Sequence, residues 1–501
     1  MKTRLFIVLL LQCLLCVAQA AEKPNIILIY SDDQGYGDAS CLNPDSKFRT
    51  RNLDRLAREG LTLTDGHCSD TVCTPSRYGL LTGRYSWRTG LKRGVFGAER
   101  DCLIADGRTT LASLLRDNGY HTAMVGKWHL GMDFPGTKRK RDWSQPVKDM
   151  PLDKGFDYYW GIPASMNYGV LAWFEGRYAK VPPTLNTRKK PNRIALSDYR
   201  IMPPYEKIPV AAADLEVAPD FIDRECLTRF TDKSIEWIKG KANDARKGKP
   251  FFLYLPFTSP HKPVIPLEKF RGQGKAGAYG EFMVETDHHV GRILELLDQE
   301  KLAHDTIIIY TSDNGPENTW KKRAEKFSHR SNGCYREGKR SIYEGGHRVP
   351  FFIRWPAKVK AGGRLNAPVC QTDLLATLAE MLGKSLPNNA GEDSNSFYTE
   401  MLDPGTLKKR PPIIHHSSAG RFAIREGKWK LIMAGQKKAM KAQLYDLDKN
   451  PGETVNLSEK HPEIVTSLTA KITAIIKTGR SSPGTPVKND TPPWPDLGWM
   501  K

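Results

Sequence analysis

The sequence predicts an α/β fold in which a large, mostly parallel sheet is flanked by helices and is followed by a smaller antiparallel sheet with one helix. Short, almost continuously apolar segments have the composition of buried strands, and they lie at 25–30, 121–125, 251–257, 306–311 and 349–355. Helical apolar periodicity appears between them, at 51–59, 110–118, 224–238 and 280–297. Apolar strands that alternate with amphipathic helices indicate a parallel sheet covered on both faces.

The C-terminal part of the chain has a different pattern. Residues 421–434 alternate apolar and polar side chains around Glu426-Gly427, which predicts a β-hairpin, and a helical pattern follows at 461–477. We therefore expect a main domain over 21–385 and a smaller domain with a Pro-rich tail over 386–501. The segment 134–215 shows little periodicity and is predicted to form long loops at the rim of the main domain.

The first twenty residues have the composition of a secretory signal peptide. Lys2 and Arg4 precede an apolar run over 5–17, and the small-residue sequence AQA at 18–20 is typical of a cleavage site. The apolar run is shorter than the roughly 20 residues that span a bilayer. We therefore expect export to the periplasm or the cell exterior, with no stable membrane insertion.

The charge balance is strongly basic. The chain of 501 residues has 76 Lys and Arg against 56 Asp and Glu, a formal net charge of +20. Such an excess suits an anionic partner: a nucleic acid, an anionic membrane or an acidic glycan. Basic runs at 138–141, 188–190 and 321–323 are predicted to lie on loops, and solvated loops without any partner explain the excess equally well.

Cysteine usage fits an exported protein without a cysteine-based metal site. The cysteines after the predicted signal peptide are Cys41, Cys68, Cys73, Cys102, Cys226, Cys334 and Cys370. None belongs to a CxxC pair, so the spacing of zinc and thioredoxin-like sites is absent. We expect one or more disulfides whose connectivity the sequence leaves open, and Cys73 is the candidate for the unpaired thiol.

Polar side chains follow four of the predicted strands. They are Asp32 and Asp33, then Lys127 and His129, then His261, then Asp313 and Asn314. Ligands of an open parallel sheet bind beyond the carboxyl ends of its strands, so we expect these groups at one edge. The oxygen donors Asp32, Asp33, Asp313 and Asn314 suit Ca²⁺ or Mg²⁺ better than zinc. The alternative is that Asp33 and Asp313 only cap helices.

Cys73 opens the segment CTPSRYGLLTGR, whose later part has a helical pattern. Anions are favoured at a helix N-terminus, and Arg77 adds a fixed positive charge there. Phosphatases with a cysteine nucleophile keep an arginine six residues after it, and this sequence has Gly79 at that position, which excludes that class. The alternative for Cys73 alone is a buried structural thiol.

The motif Cys73–Arg77, continued by Leu81–Arg84, resembles the signature of the type I sulfatases, the arylsulfatase family. Further matching motifs are Asn52–Leu56, Gly126–His129, Ser312–Gly315, Gly338–Lys339 and Tyr343–Gly346, and the resemblance extends from Pro24 to the C-terminal sheet. Two positions depart from the usual pattern: Arg51 stands where relatives usually have proline, and His347 beside Arg348 is a variable position expected to bear on the substrate. The resemblance implies an alkaline phosphatase-like fold.

The resemblance also implies a cofactor derived from the chain itself. In that family the cysteine is oxidised to formylglycine (3-oxoalanine) by a formylglycine-generating enzyme or an anaerobic maturase, so Cys73 is implied to be a precursor. The hydrated aldehyde offers one hydroxyl that attacks sulfur and a second that loses its proton as sulfate is expelled. One Ca²⁺, held by residue 73 together with Asp32, Asp33, Asp313 and Asn314, polarises the sulfate.

The resemblance also implies roles for the remaining residues. Arg77 stabilises the hydrate, and Lys127, Lys339 and Ser165 contact the sulfate. His129 abstracts a proton from the hydrate, and His261 protonates the leaving oxygen. A sulfatase that is exo-acting on carbohydrates, such as N-acetylgalactosamine-6-sulfate or related glycan sulfates, is the leading hypothesis, with no nucleic-acid partner. Trp160, Tyr168 and Trp173 are expected to stack on sugars. The alternatives are a phosphomonoesterase or phosphodiesterase of the same fold and a non-catalytic sulfated-glycan-binding protein.

Overall fold

The structure is a computed structural model that describes residues 23–138, 140–188, 213–406, 409–435, 441–491 and 497–500. The predicted signal peptide at 1–20 lies outside the described residues, as do parts of the predicted basic runs at 138–141 and 188–190. None of the helices within the described ranges combines the length and the apolar character that a bilayer crossing needs.

The described residues form 21 strands and ten α-helices. The strands are β1 (Asn25–Asp32), β2 (Leu61–Leu63), β3 (Gly66–His67), β4 (His121–Lys127), β5 (Gly136–Thr137), β6 (Lys140–Arg141), β7 (Tyr158–Ile162), β8 (Val170–Leu171), β9 (Phe174–Glu175), β10 (Tyr178–Ala179), β11 (Leu185–Thr187), β12 (Leu215–Val217), β13 (Phe251–Pro260), β14 (Thr306–Ser312), β15 (Phe351–Arg354), β16 (Gly363–Leu365), β17 (Val369–Cys370), β18 (Ile413–His416), β19 (Phe422–Glu426), β20 (Trp429–Ile432) and β21 (Gln443–Asp446). The helices are α1 (Arg51–Glu59), α2 (Cys73–Thr82), α3 (Leu111–Asp117), α4 (Cys226–Arg246), α5 (Gly277–Gln299), α6 (Trp320–Phe327), α7 (Glu344–His347), α8 (Leu374–Met381), α9 (Tyr398–Leu402) and α10 (Pro462–Thr478).

One ten-stranded sheet carries the main core, in the order β10-β9-β7-β4-β13-β1-β14-β15-β2-β16. Its centre, from β7 to β14, is parallel, and the first antiparallel partners are β9 on one side and β15 on the other. Every residue of β1 and β13 is buried, and helices α4 and α5 pack on β13. The prediction of an α/β fold around a mostly parallel sheet is therefore confirmed.

The smaller sheet is antiparallel, in the order β18-β19-β20-β21, and helix α10 packs on it. Ile414, Ile424 and Leu431 of this sheet join Leu468 and Ile472 of α10 in a separate apolar cluster. The predicted hairpin and helix are confirmed. Division of the chain at residue 386 stays a prediction, because Phe397 and Met401, which follow that point, pack in the main core.

Three local expectations were wrong. The run 321–323 lies inside helix α6 rather than on a loop, because the buried Arg323 packs its guanidinium 3.5 Å from the centre of the Tyr279 ring. The segment 134–215 contains the short strands β5 to β11 and part of β12. Some pair with a neighbour in sequence, as β5 does with β6 and β9 with β10, and others pair with a more distant strand, as β8 does with β12. All seven cysteines of the described residues are free thiols, so the expected disulfide does not form there.

A buried group of charges joins the smaller sheet to the main domain. Lys430 of β20 lies 3.0 Å from Glu344 of α7 and 2.8 Å from Glu453, and all three side chains are fully buried. The Lys430 ammonium also donates a hydrogen bond of 3.0 Å to Nε2 of His347, which is fully buried as well. The position of His347 at this junction does not support the expectation that it bears on the substrate.

Substitution of Lys430 by methionine tests this junction. Lys430→Met leaves Glu344 and Glu453 buried without their ammonium, so we expect a loss of about 3–5 kcal/mol in the free energy of unfolding, measured by urea denaturation. Lys428→Met is the matched control, because Lys428 belongs to the same hairpin and its pair with Asp446 leaves it 41% exposed. Its effect should stay within about 1 kcal/mol. Equal losses for both variants would show that the junction is not a stabilising contact.

Candidate active site

The predicted site residues gather at the carboxyl ends of the central strands. Strand β1 ends at Asp32 and β4 ends at Lys127, while β14 leads into Asp313 and β13 leads into His261. The parallel register sets Ser31 beside Ser312 and Asp32 beside Pro260. Because parallel strands end at the same edge, this register brings the polar groups that follow them together.

Cys73 is the first residue of helix α2 and is 2% exposed. Its thiol donates to Oδ1 of Asp32 over 3.5 Å, and the Lys339 ammonium lies 3.6 Å from its sulfur. Ser76 fixes the first helical turn, since its hydroxyl donates to the carbonyl oxygen of Asp70 over 3.0 Å. Residue 73 therefore lies directly beside the predicted metal carboxylates.

Three buried carboxylates are each paired with a buried cation. Lys127 donates to Asp32 over 2.5 Å, Lys339 donates to Asp33, and Arg77 donates to Asp313 over 2.8 Å. A second guanidinium nitrogen of Arg77 donates to the carbonyl oxygen of Lys127 over 3.2 Å, which ties helix α2 to the end of β4. The pairs compensate the cost of burying these charges.

Two buried oxygens of the predicted metal-binding residues lack a hydrogen-bond partner within the described residues. They are Oδ2 of Asp33 and Oδ1 of Asn314, whose amide nitrogen donates to the other Asp33 oxygen over 2.8 Å. One ligand atom from each of Asp32, Asp33, Cys73 and His261 lies within 4.8 Å of the others. Unpaired buried oxygens cost about 1–3 kcal/mol each. The carboxylates of Asp32 and Asp33 in this cluster, with the Asn314 amide beside Asp33, can hold a hard divalent metal ion, and these residues fit such an ion.

The two histidines of the site are held by carbonyl oxygens, which fixes their tautomers. Nε2 of His129 donates to the carbonyl oxygen of Phe96 over 2.9 Å, and its Nδ1 has no partner in the described residues. Nδ1 of His261 donates to the carbonyl oxygen of Lys262 over 2.6 Å, which leaves Nε2 facing Asp33 at 3.8 Å. Within the described residues, each ring thus keeps one nitrogen without a donor or acceptor in hydrogen-bond range.

Burial and neighbouring charges shift the pKa values of this site. Burial lowers the pKa of His129 well below its ordinary value, and the charges of Lys127 and Arg77 lower it further, so the ring is neutral. Burial raises the pKa of the Cys73 thiol, and the Asp313 carboxylate raises it further. A protonated, buried thiol is a weak nucleophile, so the unmodified Cys73 side chain is not suited to attack an ester.

The family of this chain follows from its similarity to known proteins. The profile of the sulfatase family matches residues 24–384, and a profile described as the C-terminal region of N-sulphoglucosamine sulphohydrolase matches residues 333–478. The chain belongs to the sulfatase family. The resemblance to the type I sulfatases and the assignment as a sulfuric ester hydrolase are confirmed.

Relatives of this sulfatase match along most of its length. It is 33% identical over 490 residues to N-acetylgalactosamine-6-O-sulfatase of Bacteroides thetaiotaomicron, covering 91% of this chain and 94% of the relative. It is 31% identical to human arylsulfatase A, covering 89% and 87%. A structure solved in a study of glycosaminoglycan metabolism by Bacteroides thetaiotaomicron superposes with a TM-score of 0.77 at 30% identity, covering 91% of this chain and 99% of that chain. The alkaline phosphatase-like fold expected from the sequence is confirmed.

A cavity of about 310 Å³ opens over the paired charges of the sulfatase. Cys73, His129, His261 and Lys339 line it, which brings four of the predicted residues to one space. Ser165 is not among its lining residues, and the Ser165 hydroxyl, although buried, has no hydrogen-bond partner in the described part of the chain. The roles of all these residues stay predictions.

The aromatic residues near the site divide into two groups. Tyr168 lines the cavity, with its ring centre 5.1 Å from that of His129. Trp160 and Trp173 are 3% and 1% exposed and stack on each other at 5.1 Å. The expectation that these two tryptophans contact a sugar is therefore wrong, because their rings belong to the core.

Sequence reasoning missed part of the cavity wall, which also includes Asn167, Lys262, Arg340 and Ser418. Lys262 and Arg340 directly follow the predicted residues His261 and Lys339, so their position in the sequence could have indicated that they lie at the cavity. Ser418 has no such signal. It reaches the cavity through two backbone contacts with distant segments: its carbonyl accepts from Gly94 over 2.9 Å, and its amide donates to the Thr71 hydroxyl over 3.0 Å.

The unpaired oxygens of Asp33 and Asn314 predict stabilisation by calcium. Ca²⁺ at 100 times its dissociation constant should stabilise the folded protein by about 2.7 kcal/mol, seen as a rise in melting temperature that EDTA reverses. Asp33→Asn should remove most of that rise. Asp117→Asn, an exposed carboxylate at the end of α3, should keep it. A full calcium response in Asp33→Asn would place the ion elsewhere.

Proposed function

We propose that this sulfatase is exo-acting on sulfated carbohydrates, such as N-acetylgalactosamine-6-sulfate or related glycan sulfates, and uses a formylglycine made from Cys73 together with one Ca²⁺. The observation that carries the proposal is the position of Cys73, in contact with Asp32 and Lys339 at the floor of the cavity. The names of two relatives, which refer to an N-acetylgalactosamine sulfatase and to glycosaminoglycan metabolism, support a carbohydrate substrate. A cavity of about 310 Å³ suits one terminal sugar.

The chain holds the reacting groups in place. When bound, Ca²⁺ polarises a sulfate oxygen, and the hydrated formylglycine supplies the nucleophilic hydroxyl. Asp32, Asp33, Asp313 and Asn314 are the residues that would hold the ion. Arg77 positions this set, because it contacts Asp313 and the carbonyl oxygen of Lys127 at the same time.

Lys339 and Lys127 provide the positive charge that sulfate transfer requires. The Lys339 ammonium lies 3.6 Å from the sulfur of residue 73, next to the reacting centre. Lys127, at the end of β4, pairs with Asp32, whose other oxygen accepts from the thiol of residue 73. Buried cations that are already oriented stabilise developing negative charge more strongly than solvated cations do.

The histidines divide the proton transfers between them. His129 is neutral, and its Nδ1 has no partner among the described residues, so this nitrogen would accept the proton that residue 73 loses as sulfate is released. The Nδ1–H group of His261 is committed to the Lys262 carbonyl, so only Nε2 can deliver a proton to the leaving ester oxygen, and the ring must first take up a second proton to do so. Burial lowers the pKa of His261 to about 3, and the Asp33 carboxylate favours the protonated ring. The sulfate contact of Ser165 stays part of the proposal, although its buried hydroxyl does not line the cavity and has no partner among the described residues.

The proposal includes the route by which the enzyme matures. A signal peptide over 1–20 directs export to the periplasm or the cell exterior, and a formylglycine-generating enzyme or an anaerobic maturase oxidises Cys73. The proposed main domain over 21–385 supplies the catalytic residues, and the proposed smaller domain over 386–501 adds Ser418 to the cavity wall. No nucleic-acid substrate or stable membrane insertion is part of the proposal.

Loss of residue 73 should abolish catalysis without unfolding the protein. Cys73→Ala removes the precursor of the nucleophile, so turnover of an aryl sulfate should fall to the uncatalysed background, while the melting temperature stays close to that of the parent. In the matured parent, the peptide that contains residue 73 should be lighter by about 18 mass units, as expected when sulfur is replaced by oxygen with loss of two hydrogens. Ordinary turnover by Cys73→Ala would refute the proposal.

The role of His261 predicts a dependence on the leaving group. His261→Gln should lower kcat about 10²- to 10⁴-fold on a carbohydrate sulfate, whose alkoxide is a poor leaving group, and much less on a nitrophenyl sulfate. His304→Gln changes a 71% exposed histidine and serves as the control. An equal loss on both substrates would exclude His261 as the proton donor.

A further inference from the structure

A second concave surface lies away from the active site, on the helical layer of the main domain. It is a cavity of about 700 Å³ between the loops 46–52 and 270–275 and helix α5, and it shares none of the residues that line the active-site cavity. Four cationic side chains line it, and we call it the cationic groove: Lys47, Arg49, Arg51 and Lys275.

The four cations of the cationic groove have no carboxylate partner among the described residues. Neighbouring cations do have partners: Arg55, one turn further along α1, pairs with Glu59 at 2.9 Å and Asp298 at 2.8 Å. Arg271, on the same loop as Lys275, pairs with Glu268 at 2.7 Å. The groove thus gathers four such cations on one concave surface, next to the paired cations Arg55 and Arg271.

Asp287 is the one carboxylate among the residues that line the groove, and its oxygens already accept hydrogen bonds from other groups. Asp287 is 4% exposed, and its oxygens accept hydrogen bonds from the backbone amides of Asn52 and Leu53 and from the Asn52 side chain. It thus caps the N-terminus of α1. A concave surface with four uncompensated cations focuses a positive potential that attracts anions.

The groove is built on fixed backbone. The amide of Lys275 donates to the carbonyl oxygen of Lys47 over 2.8 Å, which joins the two loops, and Phe48 and Phe270 are buried among the lining residues. A second cavity of about 690 Å³ shares Lys47 and adds Arg330. Asp45 also lines that second cavity, so the four cations of the groove itself, rather than the second cavity, carry the argument for a chain with repeated charges.

We propose that the cationic groove is a non-catalytic binding site for the sulfated glycan chain, which holds the polymer while its end is hydrolysed in the active site. The choice of a sulfated glycan rests on the proposed function. Several uncompensated cations along one concave surface match the regularly spaced sulfate and carboxylate groups of such a polymer. The groove would therefore lower KM for polymeric substrates without contributing to the chemical step.

Binding to chondroitin 6-sulfate chains tests the groove directly. In a Cys73→Ala background, which leaves the polymer intact, the triple change Arg49→Ala, Arg51→Ala and Lys275→Ala should raise Kd roughly 10- to 100-fold. It should also reduce the slope of log Kd against log salt concentration by about two to three. The matched control replaces three exposed lysines elsewhere, Lys239, Lys384 and Lys460, by alanine and should change Kd less than about threefold.

Kinetic measurements on enzyme without the Cys73→Ala change distinguish an effect on polymer binding in the groove from an effect on catalysis. The groove variant should keep kcat and KM on nitrophenyl sulfate and raise KM on the polymer about tenfold. Equal polymer affinity of the groove and control variants would overturn the proposal, as would tighter binding of single-stranded DNA than of the glycan at equal charge. Failure of the parent to hydrolyse any sulfate ester would refute the proposed function, while the binding comparison would still decide on the groove.

Discussion

Three carboxylates with almost no solvent exposure, those of Asp32, Asp33 and Asp313, impose the main constraint on this fold. An ionised carboxylate inside a protein is strongly unfavourable unless it is paired and hydrogen-bonded. Lys127 comes from the end of β4, Arg77 from helix α2, and Lys339 from the segment before α7, and each is hydrogen-bonded to a different one of these carboxylates. Segments that lie far apart in the chain meet at one edge of the sheet because these charges must be compensated there.

The same constraint explains the position of Cys73. Its thiol lies within the group of paired charges, where burial and the Asp313 carboxylate raise its pKa. A thiol in that state is a poor nucleophile, yet the surrounding cations and oxygens are arranged for an anionic ester. Conversion of Cys73 to formylglycine would replace this unreactive thiol by a reactive group in surroundings that already suit an anionic ester.

The smaller sheet contributes to the active site as well as to stability. Lys430 joins it to the main domain between two buried glutamates, and Ser418, just after β18, forms part of the cavity wall. The profile match that runs from residue 333 to 478 agrees with this, because it crosses from the main sheet into the smaller one. The shape of the substrate cavity therefore depends on how the two sheets dock.

The sequence by itself determined the local elements and the chemistry at the strand ends. Helix α1 spans 51–59 as its apolar spacing predicts, and the polar groups after β1, β4, β13 and β14 meet because parallel strands end at one edge. Tertiary structure alone decided which side of an element faces inward. Trp160 and Trp173 stack in the core, and Arg323 is buried against Tyr279. Such contacts join residues that are far apart in sequence or that meet only when the chain folds. A local sequence pattern therefore does not show which partner a side chain will contact.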